Sequence, residues 1–389
     1  MKILAVFVDM LGADYLNVAN PNAAQTDIDR MLLDIGGTFY TNCYTPAPDT
    51  PRSFACMWTG LYPRANGCDN RLKYPGKFLK TQKHVWNTLK NKEYQLNIFI
   101  KEAERIIGTL PSPFEKYTKG MYFDDFLNQL NIKENSFTFL HFEDLHSILD
   151  NYGYTKRSLN KGATFVANMM QSFFQKYDAD FFDYIIFFSD HGFRYECEKR
   201  EYLLDTDRIR TSMFIRKKGD NSLKTDSKLC SNLDLFPTVC EMVGEAIPKE
   251  IDGKSLLSDE HEYVLLEDHQ NFSVELGQTI EHWGVVLKDG IYRLECSGEW
   301  SENAKQNPDF ECNSWKKIIE DKMDNYEENH KLWQARHIYD GNKINSRIYS
   351  DGSPMKKGIG TTKCMIYAKL IIRKIRYLAK TKDSYRLKN

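Results

Sequence analysis

The sequence predicts an α/β protein in which helices flank a large central sheet. Three observations support this class. An apolar run at residues 3–8 is typical of a buried strand. A helical pattern over residues 85–89 precedes a strand pattern over residues 94–100. Two further apolar runs, residues 136–142 and 184–189, end in clusters of polar residues. In open α/β sheets, ligands bind beyond such strand ends.

The composition allows a large core and gives no sign of a nucleic-acid partner. The chain has 389 residues, of which 41% are hydrophobic, and could form one or two domains. Lys and Arg number 53 against 54 Asp and Glu, so the net charge is −1. Nine Cys without a Cys-x-x-Cys pair favour free thiols in a reducing compartment. The N-terminal apolar run is too short for a signal peptide, and we therefore expect a cytoplasmic location.

The segment between the first strand and residue 50 predicts a helix and a second strand. Apolar residues at helical spacing indicate a helix from Thr26 to Leu33, which Gly36 and Gly37 would end. Residues 39–44 follow as a short strand. This strand leads directly into the segment that carries the main candidate for chemistry.

That segment, residues 50–63, reads TPRSFACMWTGLYP. Thr50 stands nine positions before Thr59-Gly60, which would close a helix that Thr50 opens. A helix N-terminus offers unpaired N–H groups and partial positive charge, so it favours an alkoxide and the oxyanion of a phosphate or sulfate. The alternative is that Thr50 is only an N-cap, with Pro51 at the first helical position.

The second strong pattern is Asp190-His191-Gly192 at the end of a predicted strand. It places a carboxylate next to an imidazole, and Gly192 would let the backbone turn sharply so that both could face one ion. This ligand pair suits zinc or manganese better than calcium alone. Asp9, directly after the first strand, is a third candidate ligand.

Together, the Thr50 segment and the sequence Ser-Asp-His-Gly after a strand resemble the alkaline phosphatase and sulfatase superfamily. Two later stretches, DLFPT at 234–238 and DGKSL at 252–256, agree with this resemblance. It implies an alkaline-phosphatase-like, mixed and mostly parallel central sheet in a catalytic domain of residues 1–295. Residues 296–389 would form a C-terminal extension. We expect Asp234 to cap the helix that follows it.

The resemblance also implies a set of site residues. Thr50 would be the nucleophile, and the ligands of one or two divalent ions would be Asp9, Thr50, Asp190, His191 and, for a second ion, Asp144. Substrate contacts would come from His146, Arg52, Asn70 and His282, with His269 in reserve. Arg52 could instead face solvent, and the others could be ordinary loop or surface residues. Zinc or manganese is preferred, while calcium and magnesium stay open. Many sulfatases carry two adjacent Asp residues after the first strand, whereas here the second is Met10.

The nucleophile type decides the predicted reaction. Type I sulfatases use a formylglycine made from Cys or Ser, which Thr cannot give. Cys43 and Cys56 lack the Cys-x-Pro-x-Arg surroundings, and Ser53 would need a shift of three positions. We predict a metal-dependent phosphoester or phosphodiester hydrolase, or a phospho-group transferase, that forms a phosphothreonine. Its substrate would be a small-molecule or glycan phosphoester in polysaccharide biosynthesis. A sulfatase acting on a sulfated glycan and a non-catalytic binding protein are the alternatives.

The last third of the chain has two readable patterns. Residues 282–287 and 291–294 predict a β-hairpin with a two-residue turn. Between Ala368 and Lys380, apolar residues fall on one helical face and Lys and Arg on the other. Such a helix fits peripheral contact with an anionic membrane surface, or packing against the catalytic domain.

Overall fold

The computed structural model describes residues 1–66, 83–100, 121–193, 204–268, 282–288 and 290–294, with short pieces at 300–302, 318, 339–340 and 343–344. Contacts divide the chain into two compact units. The first comprises Met1–Asp69 and Tyr74–Val264, and the second comprises Asn70–Lys73 and Leu265–Asn389. The sequence-based boundary after residue 295 stays a prediction.

The first unit is built around a seven-stranded sheet. Its strands are β1 (Lys2–Val8), β2 (Gly37–Tyr44), β3 (Gln95–Ile100), β4 (Ser136–Phe142), β5 (Tyr184–Phe188), β6 (Met213–Lys217) and β7 (Leu223–Ser231). They are ordered β3-β4-β1-β5-β6-β2-β7. Only β6 pairs antiparallel with its neighbours, β5 and β2, and the other pairs are parallel. The predicted mixed, mostly parallel sheet is therefore confirmed.

Helices cover both faces of this sheet. They are α1 (Asp27–Ile35), α2 (Thr50–Thr59), α3 (Pro63–Asn66), α4 (Val85–Asn91), α5 (Phe123–Gln129), α6 (Asp144–Tyr152), α7 (Lys156–Lys176), α8 (Thr206–Ile209) and α9 (Leu235–Met242). Successive side chains of β1 alternate between two apolar clusters, one containing α1 and α5 to α7 and the other α2, α4 and α9. Among the described helices, none has the length and hydropathy needed to cross a membrane.

Helix α1 follows the predicted signals closely. Thr26 is its N-cap and forms a capping box with Asp29, so two backbone N–H groups at the helix start are satisfied. The helix ends at Gly36, whose φ of 69° lies in the region that favours glycine. The predicted helix is confirmed and extends two residues further than expected, to Ile35.

The two later motifs meet at Asp234, which stands at the N-cap position of α9 as expected but makes no side-chain capping bond to that helix. Asp234 itself has helical dihedrals and ends a short 3-10 turn, Asn232–Asp234, that runs straight into α9. Its side chain instead accepts hydrogen bonds from the backbone N–H of Ser231 and of Lys254, each at 2.8 Å. His261 Nε2 lies 2.6 Å from the same carboxylate. Asp234 therefore joins the DLFPT and DGKSL stretches.

In the second unit the described residues include a four-stranded sheet. Its strands are β8 (Val264–Asp268), β9 (His282–Val286), β10 (Ile291–Leu294) and β11 (Trp300–Glu302), in the order β11-β10-β9-β8. Strands β9 and β10 pair antiparallel, and Leu287 and Gly290 exchange backbone hydrogen bonds of 2.9 and 3.4 Å. The predicted hairpin is confirmed. A two-stranded piece, β12 (Tyr339–Asp340) and β13 (Lys343–Ile344), follows. The predicted C-terminal amphipathic helix lies outside the described residues.

Candidate active site

The candidate site lies at the carboxyl ends of β1 and β5, which are neighbours in the sheet. Asp9 directly follows β1, while Asp190 and His191 follow β5 after one intervening residue. All three side chains are buried, and each offers a ligand atom within 4.8 Å of the other two. Among the described residues, no other group of three metal-ligating side chains meets this distance. Two strand ends thus bring together the ligand types that the sequence indicated.

The loop after β1 is held to the loop after β5 by backbone donors. The N–H of Met10 donates to Asp190 Oδ1 at 3.0 Å, and the N–H of Leu11 donates to Ser189 Oγ at 2.8 Å. Met10 has a φ of 65°, which is uncommon for a residue other than glycine. Its side chain is buried in the core. At this position the chain therefore supplies a backbone donor to a candidate ligand instead of a second carboxylate.

Gly192 is needed for close packing and not for a sharp turn, which corrects the expectation from sequence. It is absent from the glycines with positive φ in the described chain. A Cβ at this position would lie 2.0 Å from the carbonyl oxygen of Asp207 and 2.9 Å from the Cα of Gly12. Since real Cβ atoms do not approach backbone this closely, only glycine lets the Asp190–His191 loop lie against its neighbours.

Thr50 is the first residue of α2, but it is not the N-cap. Asp49 takes that position, and its Oδ1 accepts a hydrogen bond from the N–H of Arg52 at 3.2 Å. The interpretation of Thr50 as a simple cap is therefore wrong. Its Oγ1 lies 3.5 Å from Asp9 Oδ1 and the residue is buried, so the hydroxyl faces the candidate metal ligands. Helix α2 ends at Gly60, as the Thr-Gly pair predicted.

Arg52 is buried beside the helix start and does not face solvent. Its Nε and Nη2 each lie 2.5 Å from Asp49 Oδ2, and only 1% of its side chain is exposed. This ion pair fixes the guanidinium next to the residue that precedes Thr50. Whether Arg52 also contacts an anionic substrate stays a prediction.

We expect Asp49→Ala to lower the free energy of unfolding by about 3 to 5 kcal/mol, because the buried Arg52 would lose the ion pair with the Asp49 carboxylate. The matched control is Asp27→Ala. Asp27 also pairs with an Arg three residues on, near the start of α1, but 61% of the Arg30 side chain is exposed. Removing that pair should cost about 1 kcal/mol or less. Equal losses in urea unfolding would show that burial of the Asp49–Arg52 pair has no energetic consequence.

The other candidate nucleophiles are buried and used elsewhere. Ser53 Oγ donates to the carbonyl oxygen of Asp190 at 3.0 Å and accepts from Asn232 Nδ2 at 2.9 Å. Cys43 and Cys56 have no exposed surface, and their Sγ atoms lie 3.9 Å from Asn232 Oδ1 and 3.8 Å from Asn66 Nδ2. Of the four candidate nucleophiles, Thr50 is the one whose hydroxyl lies beside Asp9.

His146 and Asp144 lie on a helix and not on the strand-end loop that was the plain alternative. Both belong to the first turn of α6. His146 Nδ1 lies 3.0 Å from Asp9 Oδ2, and its Nε2 lies 3.6 Å from Asp150 Oδ2. Asp144 is buried but is not part of the Asp9, Asp190 and His191 group. The structure thus brings His146 to the site, while the roles of both residues stay predictions.

The remaining candidate contacts are not placed by the structure. Asn70 and His269 lie outside the described residues, and His282 is the first residue of β9 with a side chain outside them. Conversely, sequence reasoning missed Asp49 and His141. Asp49 had a usable signal, since Asp is a favoured cap residue directly before Pro-containing helix starts. His141 stacks on Phe7 at 4.9 Å within a buried strand, and nothing in its sequence surroundings distinguishes it from a core residue.

Burial and neighbouring charges shift the pKa values of Asp9 and Asp190 in opposite directions. Burial raises the pKa of Asp190, and the negative charge of Asp9 acts in the same direction. Burial would also raise the pKa of Asp9, but His146, His191 and His141 outweigh it and hold that pKa well below its usual range. Asp190 Oδ2 lies 3.3 Å from His191 Nε2. Two buried carboxylates and an imidazole that meet in this way fit a divalent cation.

The comparisons with known proteins agree with this site. Residues 2–177 match the Sulfatase family model. A candidate sulfatase from Bacteroides thetaiotaomicron has 14% identity and a TM-score of 0.64, over 86% of this chain and 92% of its own. A phosphonate monoester hydrolase of Agrobacterium radiobacter has 13% identity and a TM-score of 0.58, over 92% of this chain and 99% of its own. An alkaline phosphatase superfamily protein from Vibrio parahaemolyticus has 16% identity and a TM-score of 0.58, over 86% of this chain and 87% of its own. No curated protein matches the sequence significantly.

The match of residues 2–177 to the Sulfatase family model, together with a fold similar to structures of the alkaline phosphatase superfamily, supports assignment to the sulfatase-like alkaline phosphatase superfamily. The structural neighbours include a candidate sulfatase and a phosphonate monoester hydrolase, and the described fold is similar to the fold of both. Members of this superfamily generally use a divalent metal, which agrees with the buried donors of Asp9, Asp190 and His191.

Proposed function

We propose that this protein is a metal-dependent phosphoester hydrolase or phospho-group transferase that acts through a covalent phosphothreonine at Thr50. The observation that carries the proposal is the position of one hydroxyl. Thr50 opens α2, leaves the capping task to Asp49, and directs its Oγ1 toward Asp9. A capping role does not account for this position of the hydroxyl, and the position suits a nucleophile.

The side chains divide the work of such a reaction. The Thr50 oxygen forms a bond to phosphorus as the bond to the leaving oxygen breaks, and water or an acceptor hydroxyl then releases the phosphoryl group from Thr50. The partial positive charge at the start of α2 favours the developing negative charge. His146, 15% exposed beside Asp9, is the residue best placed to contact the phosphoryl oxygens. Arg52, held beside the helix start by its ion pair with Asp49, is a second candidate contact for the anion.

Asp9, Asp190, His191 and the Thr50 hydroxyl would hold the divalent cation, with Asp144 as candidate ligand of a second. When bound, such an ion lowers the pKa of a coordinated hydroxyl and stabilises anionic oxygens. The donor set of carboxylates and one imidazole favours zinc or manganese, with calcium or magnesium as the other choices.

A sulfatase is the second candidate function. It is favoured by the Sulfatase family match and by the structural likeness to a candidate sulfatase. The threonine at position 50 argues against the formylglycine chemistry of type I sulfatases. A third reading, a non-catalytic binding protein on this scaffold, predicts a site without turnover.

The test is to assay aryl phosphate monoesters, phosphodiesters and sulfates with zinc, manganese, calcium and magnesium in turn. Turnover of a phosphoester that depends on one metal supports the proposal. Exclusive turnover of the sulfate establishes the sulfatase. Bound metal without turnover of any substrate supports the binding protein.

The natural substrate is proposed to be a phosphorylated sugar or a lipid-linked glycan intermediate in polysaccharide synthesis. The support is indirect: the sequence pattern of the C-terminal segment fits a protein at the inner, anionic face of a membrane, where such intermediates are built. A soluble small-molecule phosphoester is the simpler possibility, and no nucleic-acid partner is proposed.

We expect deletion of residues 363–389 to abolish binding to anionic vesicles while turnover of a soluble aryl phosphoester is unchanged. Each Lys or Arg close to an anionic surface contributes about 1 kcal/mol, so the basic face would supply most of the affinity. Vesicle co-sedimentation measures the effect, with neutral vesicles as the control. Loss of folding in the truncated protein would mean that the segment packs against the catalytic domain instead.

A further inference from the structure

We propose that Ser53 and Asn232 are positioning residues that fix the start of α2, and with it Thr50, against the Asp190–His191 loop. The inference rests on the proposed function, because it gives these two side chains a task in the same site. Neither of them contacts a reacting atom.

The two side chains and one backbone carbonyl form a closed triangle of hydrogen bonds. Asn232 Nδ2 donates to the carbonyl oxygen of Asp190 at 2.8 Å and to Ser53 Oγ at 2.9 Å. Ser53 Oγ donates to the same carbonyl oxygen at 3.0 Å. All three residues have no exposed surface. The triangle is therefore shielded from water that could replace any of its bonds.

The hydrogen-bonding capacity of this group is almost fully used. Both N–H bonds of the Asn232 amide and the single O–H of Ser53 are engaged, and the Asp190 carbonyl accepts two bonds, which fills both lone pairs. Thr45 Oγ1 lies 3.2 Å from Ser53 Oγ on its other side. In a buried place, each bond that is removed leaves a polar group unsatisfied. Substitution by Ala would therefore disturb the group instead of merely emptying a space.

The triangle joins three separate elements of the chain. Ser53 is one helical turn after Thr50 in α2, so the bonds act on the turn that carries the nucleophile. Asp190 is a candidate metal ligand, and its carbonyl fixes the backbone from which its carboxylate projects. Asn232 belongs to the 3-10 turn that Asp234 anchors to Lys254. A third, anchored element thus sets the separation between the nucleophile and the metal ligands.

This separation matters for both binding and chemistry. Groups outside the ligand shell that orient ligands typically contribute 10 to 100-fold to metal affinity. A misplacement of about 1 Å between reacting groups can cost on the order of 100-fold in rate. The triangle is the only direct side-chain link between α2 and the Asp190 carbonyl that the described residues provide.

The experiment is a calorimetric titration of manganese into the full chain, without substrate. We expect about tenfold weaker binding in Asn232→Ala and a smaller loss in Ser53→Ala. The matched control is Thr238→Val. Thr238 is equally buried, and its Oγ1 accepts the N–H of Leu256 at 2.8 Å, away from the site. This control should lose thermal stability to a comparable degree and keep its manganese affinity.

Kinetics with an aryl phosphoester provides the second readout. Asn232→Ala should lower kcat by about 100-fold and change KM by less than about twofold, since Thr50 and not the substrate pocket is displaced. The Ser53→Ala/Asn232→Ala double variant should lose less than the product of the single losses, because both residues act through one carbonyl.

The inference is overturned if both single variants keep the manganese affinity of the wild-type protein while they lose as much thermal stability as Thr238→Val. That result would leave the proposed function standing. If the wild-type protein binds none of zinc, manganese, calcium or magnesium at a site that Asp190→Asn removes, the proposed function fails and the inference fails with it. Should Asn232→Ala not fold, Ser53→Ala decides the question, because it removes a single hydroxyl.

Discussion

Thr50→Ala should lose turnover by a factor on the order of 10⁴ to 10⁶ while it keeps its bound metal. The loss is large because the variant has no oxygen to form the covalent intermediate. The metal should remain because Asp9, Asp190 and His191 still meet within ligand distance. Steady-state assays with an aryl phosphoester and metal analysis of the same preparation measure the two quantities together.

Thr50→Ser is the matched control for this result. It keeps the hydroxyl and should retain measurable activity, reduced because the lost methyl group no longer restricts the rotamer. A Thr50→Ala protein with full activity would mean that water attacks the substrate directly. In that case the hydroxyl beside Asp9 would have no chemical role.

Asp190→Asn and His191→Ala should each bind the metal more than about 100-fold more weakly and lose nearly all activity, while the fold survives. The loss follows from the geometry of the site. Among the described residues, no other His, Cys, Asp or Glu side chain forms a group of three ligands with Asp9 when Asp190 or His191 is removed. Metal titration and circular dichroism of each variant measure binding and folding separately.

His261→Ala is a useful comparison for these two variants. His261 is also buried against a carboxylate, with Nε2 2.6 Å from Asp234, but it lies outside the metal-ligating group. It should lose stability without losing metal. Full metal occupancy in both Asp190→Asn and His191→Ala would remove the basis for the metal site.

The sequence pointed to the main candidate site residues because each one has a local signal. Asp9 and Asp190 follow apolar strands, and Thr50 stands at a helix start that a Thr-Gly pair ends. These are short-range patterns, and the parallel order of β1 and β5 brings their ends together. The same patterns supported the sheet and the hairpin.

The contacts that hold the site together could not be predicted in this way. Ser53 and Asn232 are 179 positions apart, and no periodicity encodes such a pairing. The start of α6 was missed because Glu143, at its N-cap, makes no side-chain capping bond and gives no start signal. Asp234 stands at the predicted N-cap position of α9, but the sequence did not show that its side chain belongs to the capping box of a 3-10 turn that starts three residues earlier, at Ser231.

The most direct test of the central claim is to identify the atom that carries the phosphoryl group. A reaction with an aryl phosphoester, quenched by acid during turnover, should yield a peptide spanning residues 50–63 with one phosphate on Thr50 by mass spectrometry. A substrate chiral at phosphorus should react with retention of configuration, because two in-line displacements restore it. An unmodified peptide together with inversion at phosphorus would contradict the account and assign the attack to water.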